Sequence, residues 1–382
     1  MKILGIETSC DDTGIAVLET SDKGQETRFK VLSNVVSSQI EIHRQYGGVF
    51  PMMARREHQK NLVSVLKQAL GTAKMLSKRP RPKYQKAKLG TLKNILEKEQ
   101  ELYEVLVLFL KTYEKPAVDF IAVTHGPGLE PCLWVGVNFS RALSYYWDIP
   151  IIPVNHIEAH ILVNLLEKRR IVFPAIALVV SGGHTQLILV RGIGKYQIIG
   201  ETRDDAAGEC FDKAAKLLGL GYPGGPIIAK MATNVSQSSI ALPRPMINTK
   251  DYDFSFSGLK TAVLYKVRDK RQETRDKNFI RQMCFETQQA ILDVLIKKTI
   301  RAAKDYKVKT IILGGGVSAN KELRKQLGNT LQKEMPLVDY VIPDAKLSTD
   351  NGLMIAIAGY FNRKKKVSWQ KLKANANLRI SK

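Results

Sequence analysis

Ala175-Ile176-Ala177-Leu178-Val179-Val180-Ser181-Gly182-Gly183-His184-Thr185-Gln186-Leu187-Ile188-Leu189-Val190 is an apolar run, a tight polar turn and a second apolar run. Ile176 to Val180 reads as a strand, Ser181 to Thr185 as its turn and Gln186 to Val190 as the returning strand. The same idea stands about 170 residues earlier, where residues 2–7 and 14–19 flank Thr8-Ser9-Cys10-Asp11-Asp12-Thr13, a polar and acidic turn. A chain of 382 residues is long for one core. Two such units predict an α/β fold of two domains with duplicated mixed sheets. Phosphate-bearing ligands are expected in the cleft between the halves.

Working outward, Thr310 to Leu313 reads as a buried strand, and Gly314-Gly315-Gly316-Val317-Ser318-Ala319-Asn320 as a glycine-rich loop opening a helix. Val118 to Thr124 reads as a strand that ends in the turn His125-Gly126-Pro127-Gly128. Helical spacing marks Val135 to Trp147, Cys284 to Ala303 and the apolar stretch Asp350 to Phe361. The division expected is 1–150, 151–345 and a C-terminal helix and tail, 346–382, that returns to the cleft or to the first domain. Residues 72–115 look inserted. From Lys74 to Lys93 the chain carries Lys74, Lys78, Arg79, Arg81, Lys83, Lys86, Lys88 and Lys93 and no acid. Pro80 and Pro82 interrupt any helix there, and Leu92 to Leu110 resumes as one helix. This segment is either a solvated excursion or a basic arm for RNA.

Composition narrows the function classes. The net charge of +23 makes nucleic acid the first candidate partner. The apolar start at Met1 is short and interrupted by Glu7, unlike a signal-peptide core. No run is long enough to cross a bilayer. Cys10, Cys132, Cys210 and Cys284 form no C-x-x-C, which argues against a disulfide framework and for a cytoplasmic protein.

Chemistry concentrates in Asn155-His156-Ile157-Glu158-Ala159-His160. Histidines four apart on a helix share a face and can share a metal. Glu158 lies about 200° round the helix from His156, so the arrangement is not that of a zinc peptidase, whose base adjoins the first histidine. Asp350 is the best third ligand, with an N-cap as its ordinary alternative. Two histidines and a carboxylate suit Fe(II) or Zn(II). Ser181-Gly182-Gly183 offers unobstructed backbone N–H groups to an anion. Asp212 sits on an expected helix, as a ligand to ribose or the partner of a lysine, and Gly224-Gly225 reads as a sharp loop near it. Asn320 either bonds a ligand or caps its helix.

Gly5 to Thr13, His43-Arg44-Gln45-Tyr46-Gly47-Gly48-Val49, His156 to His160, Val180 to Thr185, Phe254-Ser255-Phe256-Ser257-Gly258-Leu259-Lys260 and Gly315 to Asn320 occur in that order. Together they resemble the tRNA N6-adenosine threonylcarbamoyltransferase family over nearly the whole chain except 72–115. The resemblance implies an actin-like ATPase superfamily fold. It implies transfer of threonylcarbamoyl from threonylcarbamoyl-AMP to N6 of adenosine 37 in tRNAs reading ANN codons. It implies a metal on His156, His160 and Asp350. Acyl-adenylate contacts would fall on Val179, Val180, Ser181, Gly182, Gly183, Asp212, Gly225 and Asn320, and a catalytic role on Asp11. ATP is a further candidate ligand. The implied partners are tRNA, a second actin-like subunit and a small ATPase. One departure is Pro51-Met52-Met53-Ala54, where the family usually has Pro-Glu-Leu-Ala; the lost carboxylate bears on any partner contact there. The rival readings are a metallopeptidase, a phosphotransferase and a nucleotide-binding scaffold.

Overall fold

The computed structural model describes residues 1–23, 26–79, 86–166, 171–269 and 276–381. Its strands are β1 (Lys2–Glu7), β2 (Asp12–Lys23), β3 (Glu26–Ser38), β4 (Phe120–Gly126), β5 (Ile151–Asn155), β6 (Ala175–Val180), β7 (Thr185–Gly192), β8 (Lys195–Glu201), β9 (Thr310–Gly314) and β10 (Asp339–Val341). Its helices are α1 (Ile40–Arg44), α2 (Pro51–Thr72), α3 (Lys86–Ile95), α4 (Gln100–Thr112), α5 (Glu130–Trp147) and α6 (His156–Leu162). Beyond these come α7 (Ala207–Leu217), α8 (Gly224–Ala232), α9 (Ser257–Asp269), α10 (Lys277–Asp305), α11 (Lys321–Glu334) and α12 (Gly352–Phe361).

The chain forms two compact units. The first holds 1–39, 49–168 and 350–379, and the second 40–48, 169–349 and 380–382. The first unit therefore runs past the division expected at residue 150. The cause is β5, which pairs in parallel with β4, Ile121 opposite Ile151, and carries α6 with it.

The two sheets have one topology. The first is ordered β3-β2-β1-β4-β5 and the second β10-β9-β6-β7-β8. In each, the first strand pairs antiparallel with its hairpin partner and parallel with a later strand: β1 with β2 and β4, β6 with β7 and β9. Two strands with a neighbour on each side, β6 and β9, are buried at every residue.

From Leu92 to Leu110 the segment expected as an insertion is not a solvated excursion. Leu92, Ile95, Leu96, Leu102, Leu106, Phe109 and Leu110 belong to the core of the first unit. Burying each such side chain contributes about 1.5–3 kcal/mol. The single helix expected over Leu92 to Leu110 is two, α3 and α4, broken near Glu99. Glu99 lies in the apolar stripe and is buried, where its carboxylate accepts from Asn138 Nδ2 at 3.2 Å and faces Arg55 at 3.5 Å. Lys88, read as part of an RNA arm, donates to the carbonyls of Tyr145 and Tyr146 at the end of α5, both at 3.2 Å. Pro80, Arg81, Pro82 and Lys83 fall outside the described residues.

The last helix, α12, is apolar on every side, and Gly352 to Tyr360 are all buried. It lies directly on the first sheet. A side chain at Gly5 would collide with the Gly352 carbonyl, and one at Gly14 would stand 2.7 Å from the Gly352 nitrogen. That contact brings the start of α12 to the carboxyl ends of β1, β4 and β5.

Candidate metal centre and substrate loops

In the first unit, Asn155 ends β5 and caps α6, its Oδ1 accepting from the N–H groups of Ile157 and Glu158 at 2.9 and 3.1 Å. The next residue, His156, is therefore the first of the helix, and His160 follows one turn later with ring centroids 4.6 Å apart. Asp350 reaches the pair from the other side: its Oδ1 is 3.5 Å from His156 Nε2 and 3.2 Å from His160 Nε2. The ligand atoms of all three lie within 4.8 Å of one another. The N-cap of α12 is Asn351, not Asp350: Asn351 Oδ1 accepts from the Met354 N–H at 3.0 Å.

The donor set fits a divalent ion. Two atoms each about 2.1 Å from a tetrahedral ion stand about 3.4 Å apart, which matches the 3.2 and 3.5 Å separations. Both ring nitrogens of His160 are buried and make no hydrogen bond among the described residues, and Nε2 faces only the Asp350 carboxylate at 3.2 Å. An ion between them would take the Nε2 lone pair, which is otherwise costly to bury.

The shell behind these candidate ligands has no local mark in the sequence. Glu7, at the buried end of β1, receives the Ser9 N–H and the Thr124 hydroxyl, both at 2.5 Å, and its Oε2 lies 3.2 Å from His156 Nδ1. A carboxylate on the far nitrogen fixes the tautomer and leaves Nε2 as a ligand. Burial alone would lower His156, but Asp350 and Glu7 outweigh it and push it up to about 9. In sequence Glu7 is a break in an apolar run, the end of the first strand and part of the Gly5 to Thr13 motif, and none of these gives it a role behind a histidine. Glu158 accepts instead from Asn362 Nδ2 at 2.8 Å, on the α12 side. It has no place among the metal ligands.

Asp11 ends the β1–β2 turn and Asp12 opens β2, and buried His58 of α2 supports them through the Cys10 carbonyl at 3.0 Å and Thr13 Oγ1 at 2.8 Å. Burial, then the Asp11 and Asp350 carboxylates, push Asp12 from 3.8 up to about 7, against a hydrogen bond from Ser38. Between those two values the folded chain keeps a proton that the unfolded chain has lost, so stability falls as pH rises from about 4 to about 7. Asp12→Asn is expected to raise the melting temperature of metal-free protein by several degrees near pH 8 and hardly at all near pH 4. Equal gains at both pH values would show that Asp12 is not a buried titrating acid.

In the second unit, Val179 and Val180 end β6, and Ser181 to Gly183 turn into β7 with the Ser181 N–H donating to the His184 carbonyl at 2.8 Å. A side chain at Gly182 or Gly183 would meet nothing within 4 Å. The start of α7 abuts this turn, the Gly208 N–H donating to the Ser181 carbonyl at 3.2 Å. Next to it comes the loop after β9. Gly315 has φ +84°, and any side chain there would collide with the Val180 carbonyl. So β6, β9 and α7 present loops at one end of the sheet, the usual place for a phosphate.

Asn320 caps α11, accepting from the Leu323 N–H at 3.0 Å while its Nδ2 donates to Gln288 at 2.9 Å. Asp212 Oδ1 accepts from the Gly224 N–H at 2.7 Å. Lys213 pairs instead with Asp205 and Glu209 at 2.7 and 2.9 Å. Gly224 and Gly225 are not a loop: they open α8, and the turn before them uses Gly219 and Gly221, at φ +72° and +87°. Asp212 thus anchors the helix end that carries Gly225.

Comparison with known proteins gives concordant findings. The model of the tRNA N6-adenosine threonylcarbamoyltransferase family (TsaD) matches residues 30–79 and 109–357, leaving 80–108 unmatched inside it. The tRNA N6-adenosine threonylcarbamoyltransferase of Thermosipho africanus (strain TCF52B) is 41% identical over 381 residues, covering 100% of both chains. That of Desulfitobacterium hafniense (strain Y51) is 42% identical over 361 residues, 94% of this chain and 92% of the relative. Among solved structures, full-length HypF in its phosphate- and nucleotide-bound form superposes with a TM-score of 0.53 at 11% identity. The match covers 95% of this chain and 46% of HypF, and it carries the fold alone. The two like mixed sheets are in keeping with that shared fold.

Proposed function

The chain belongs to the tRNA N6-adenosine threonylcarbamoyltransferase family, and we propose that it transfers threonylcarbamoyl from threonylcarbamoyl-AMP to N6 of adenosine 37 in tRNAs reading ANN codons. The observation that carries this reading beyond the family match is the group of His156, His160 and Asp350, with both Nε2 atoms turned on the same Asp350 oxygen. We assign these three as ligands of one divalent ion, Fe(II) or Zn(II). Such an ion supplies a Lewis acid. Val179, Val180, Ser181, Gly182, Gly183, Asp212, Gly225 and Asn320 are assigned to the acyl-adenylate, with ATP as a further occupant. In support, the glycine turn is open and adjoins the start of a helix.

The chemistry needs an activated donor, because the lone pair on adenine N6 is delocalised into the ring. N6 attacks the carbonyl carbon of the mixed anhydride, the new N–C bond forms, and the carbon–oxygen bond to phosphate breaks. AMP leaves with the electron pair, and backbone N–H groups of Ser181 to Gly183 offset its charge. Asp11, on the β1–β2 turn, is assigned the proton that N6 loses. Adenosine 37 is in a single-stranded loop and can be turned out of its stack at modest cost.

A second actin-like subunit and a small ATPase are kept as partners on the family resemblance. A cytoplasmic location fits four free thiols, and no helix of the described residues is long and apolar enough to cross a membrane. A transfer assay tests the donor assignment. With threonylcarbamoyl-AMP, unmodified tRNA and the partner proteins, Gly183→Val is expected to raise the KM for the donor about tenfold or more, the loss of one or two charge-assisted hydrogen bonds. Its melting temperature should not move, since the space is open. An unchanged KM would remove this turn from the donor site. Absence of modified nucleoside from the wild type would overturn the transferase reading itself.

A further inference from the structure

After Asp350 the chain contains no Asp or Glu, yet it carries Arg363, Lys364, Lys365, Lys366, Lys371, Lys373, Arg379 and Lys382. A solvated surface normally mixes both signs. From Lys366 to Ala376 this stretch is pinned along the flank of the first unit. At the strand starts, Lys366 stands over the Phe120 ring at 5.3 Å and the Val367 N–H donates to the Ile151 carbonyl at 2.9 Å. Midway, Arg141 Nε donates to the Trp369 carbonyl at 2.9 Å, Trp369 packs edge-on against Tyr145, and Leu372 is buried in the core. At the strand ends, the Asn375 N–H donates to the His125 carbonyl at 2.7 Å, and the Gly128 N–H to the Ala376 carbonyl at 3.3 Å. The strap thus follows β4 from its start to its end, about 20 Å at the rise of a strand. It finishes at the loop after Thr124, the residue bonded to Glu7 behind His156.

Lys364, Lys365, Lys366, Lys371 and Lys373 are all exposed, and none makes an ion pair among the described residues. Each is anchored by a backbone that is itself held in place, so ordering it against a ligand costs little beyond side-chain entropy.

We propose that this C-terminal strap is a phosphate track for the tRNA backbone, leading from the far end of the first unit toward the metal-bearing end. It rests on the transferase reading, which supplies the polyanion, and it adds the surface that holds the RNA outside the reacting loop. Contacts of this kind position and do not specify. The prediction is accordingly electrostatic. Replacing Lys364, Lys365, Lys366, Lys371 and Lys373 by Gln should weaken binding of full-length unmodified tRNA about tenfold to a hundredfold at moderate salt. It should also flatten the plot of log K against log salt by about 0.7–0.9 for every phosphate that is no longer neutralised.

The experiment is a salt titration of tRNA binding by the full chain, wild type against the five-Gln and five-Arg variants, with transfer kinetics beside it. The five-Gln variant should show a raised KM for tRNA, an unchanged KM for the donor and an unchanged kcat at saturating tRNA. The five-Arg variant should restore both slope and affinity. An unchanged slope in the five-Gln variant would overturn the track. So would unaltered tRNA affinity combined with abolished binding to vesicles of anionic lipid, which would make the strap a membrane contact. Failure of the wild type to bind or modify tRNA would instead strike the transferase reading, and the two failures are told apart by that control.

Discussion

Asp350→Ala is expected to abolish stoichiometric metal binding and to lower threonylcarbamoyl transfer on the order of a thousandfold. The magnitude follows from the role: a Lewis acid is worth several kcal/mol of charge stabilisation, and each 1.4 kcal/mol is about tenfold in rate. His160→Ala should fall as far, and the double variant little further, because ligands of one ion act as a unit. Two neighbours separate this from damage to the fold. Asn351→Ala removes the cap of α12, about 1 kcal/mol, and should leave the metal in place. Glu7→Gln keeps all three ligands and should lower metal affinity about 10–100-fold, the usual effect of losing the carboxylate behind a histidine. Metal content by mass spectrometry of the purified chain decides among them. An Asp350→Ala protein with full metal and full activity would take Asp350 out of the ligand set.

The contrast between Asp350 and Asn351 shows where sequence reading reaches its limit. Both are good N-cap residues, and periodicity places a helix start only to within a residue or two. The structure separates them because Asn351 Oδ1 meets the Met354 N–H, which leaves the carboxylate one residue earlier directed at the histidines. His156 and His160 were legible for the opposite reason: a spacing of four on a helix is a local property. Glu7 and Thr124 were not, since their meeting depends on the parallel pairing of β1 with β4, whose partners are more than a hundred residues apart in the chain. The strand-turn-strand repeats predicted the duplication because hairpins are local too. The crossovers that make each sheet mixed left no mark of that kind. Leu92 to Leu110 misled for a related reason: its apolar stripe runs unbroken through Glu99, and only the tertiary partners Asn138 and Arg55 explain a buried carboxylate there. Gly224-Gly225 misled because a glycine pair signals a turn in isolation, while here the Asp212 carboxylate holds the pair as the opening of α8.

Gly352→Val should destabilise the first unit and empty the metal centre in one step. A Cβ at this position would stand 2.5 Å from the Ala16 nitrogen and 2.7 Å from the Ile15 carbonyl carbon. Both are backbone atoms in β2, with pairing partners on each side, so the strand cannot give way and α12 must. Overpacking of this kind costs about 3 kcal/mol or more, a fall of about 6–12 °C in melting temperature for a unit of this size. The functional effect follows from position. Gly352 is two residues from Asp350, and a ligand displaced by even about 0.5 Å no longer shares an ion with partners fixed on another element. Gly71→Val is the matched control, a glycine of the same unit with nothing within 4 Å, and should change neither quantity by much. If Gly352→Val lowered stability yet kept its metal, the centre would tolerate motion of α12. Asp350 would then be held by its own surroundings and not by the helix it precedes. The close seating of α12 on β1 and β2 makes the opposite result the expected one, because the contact that fixes the helix is the contact that fixes the ligand.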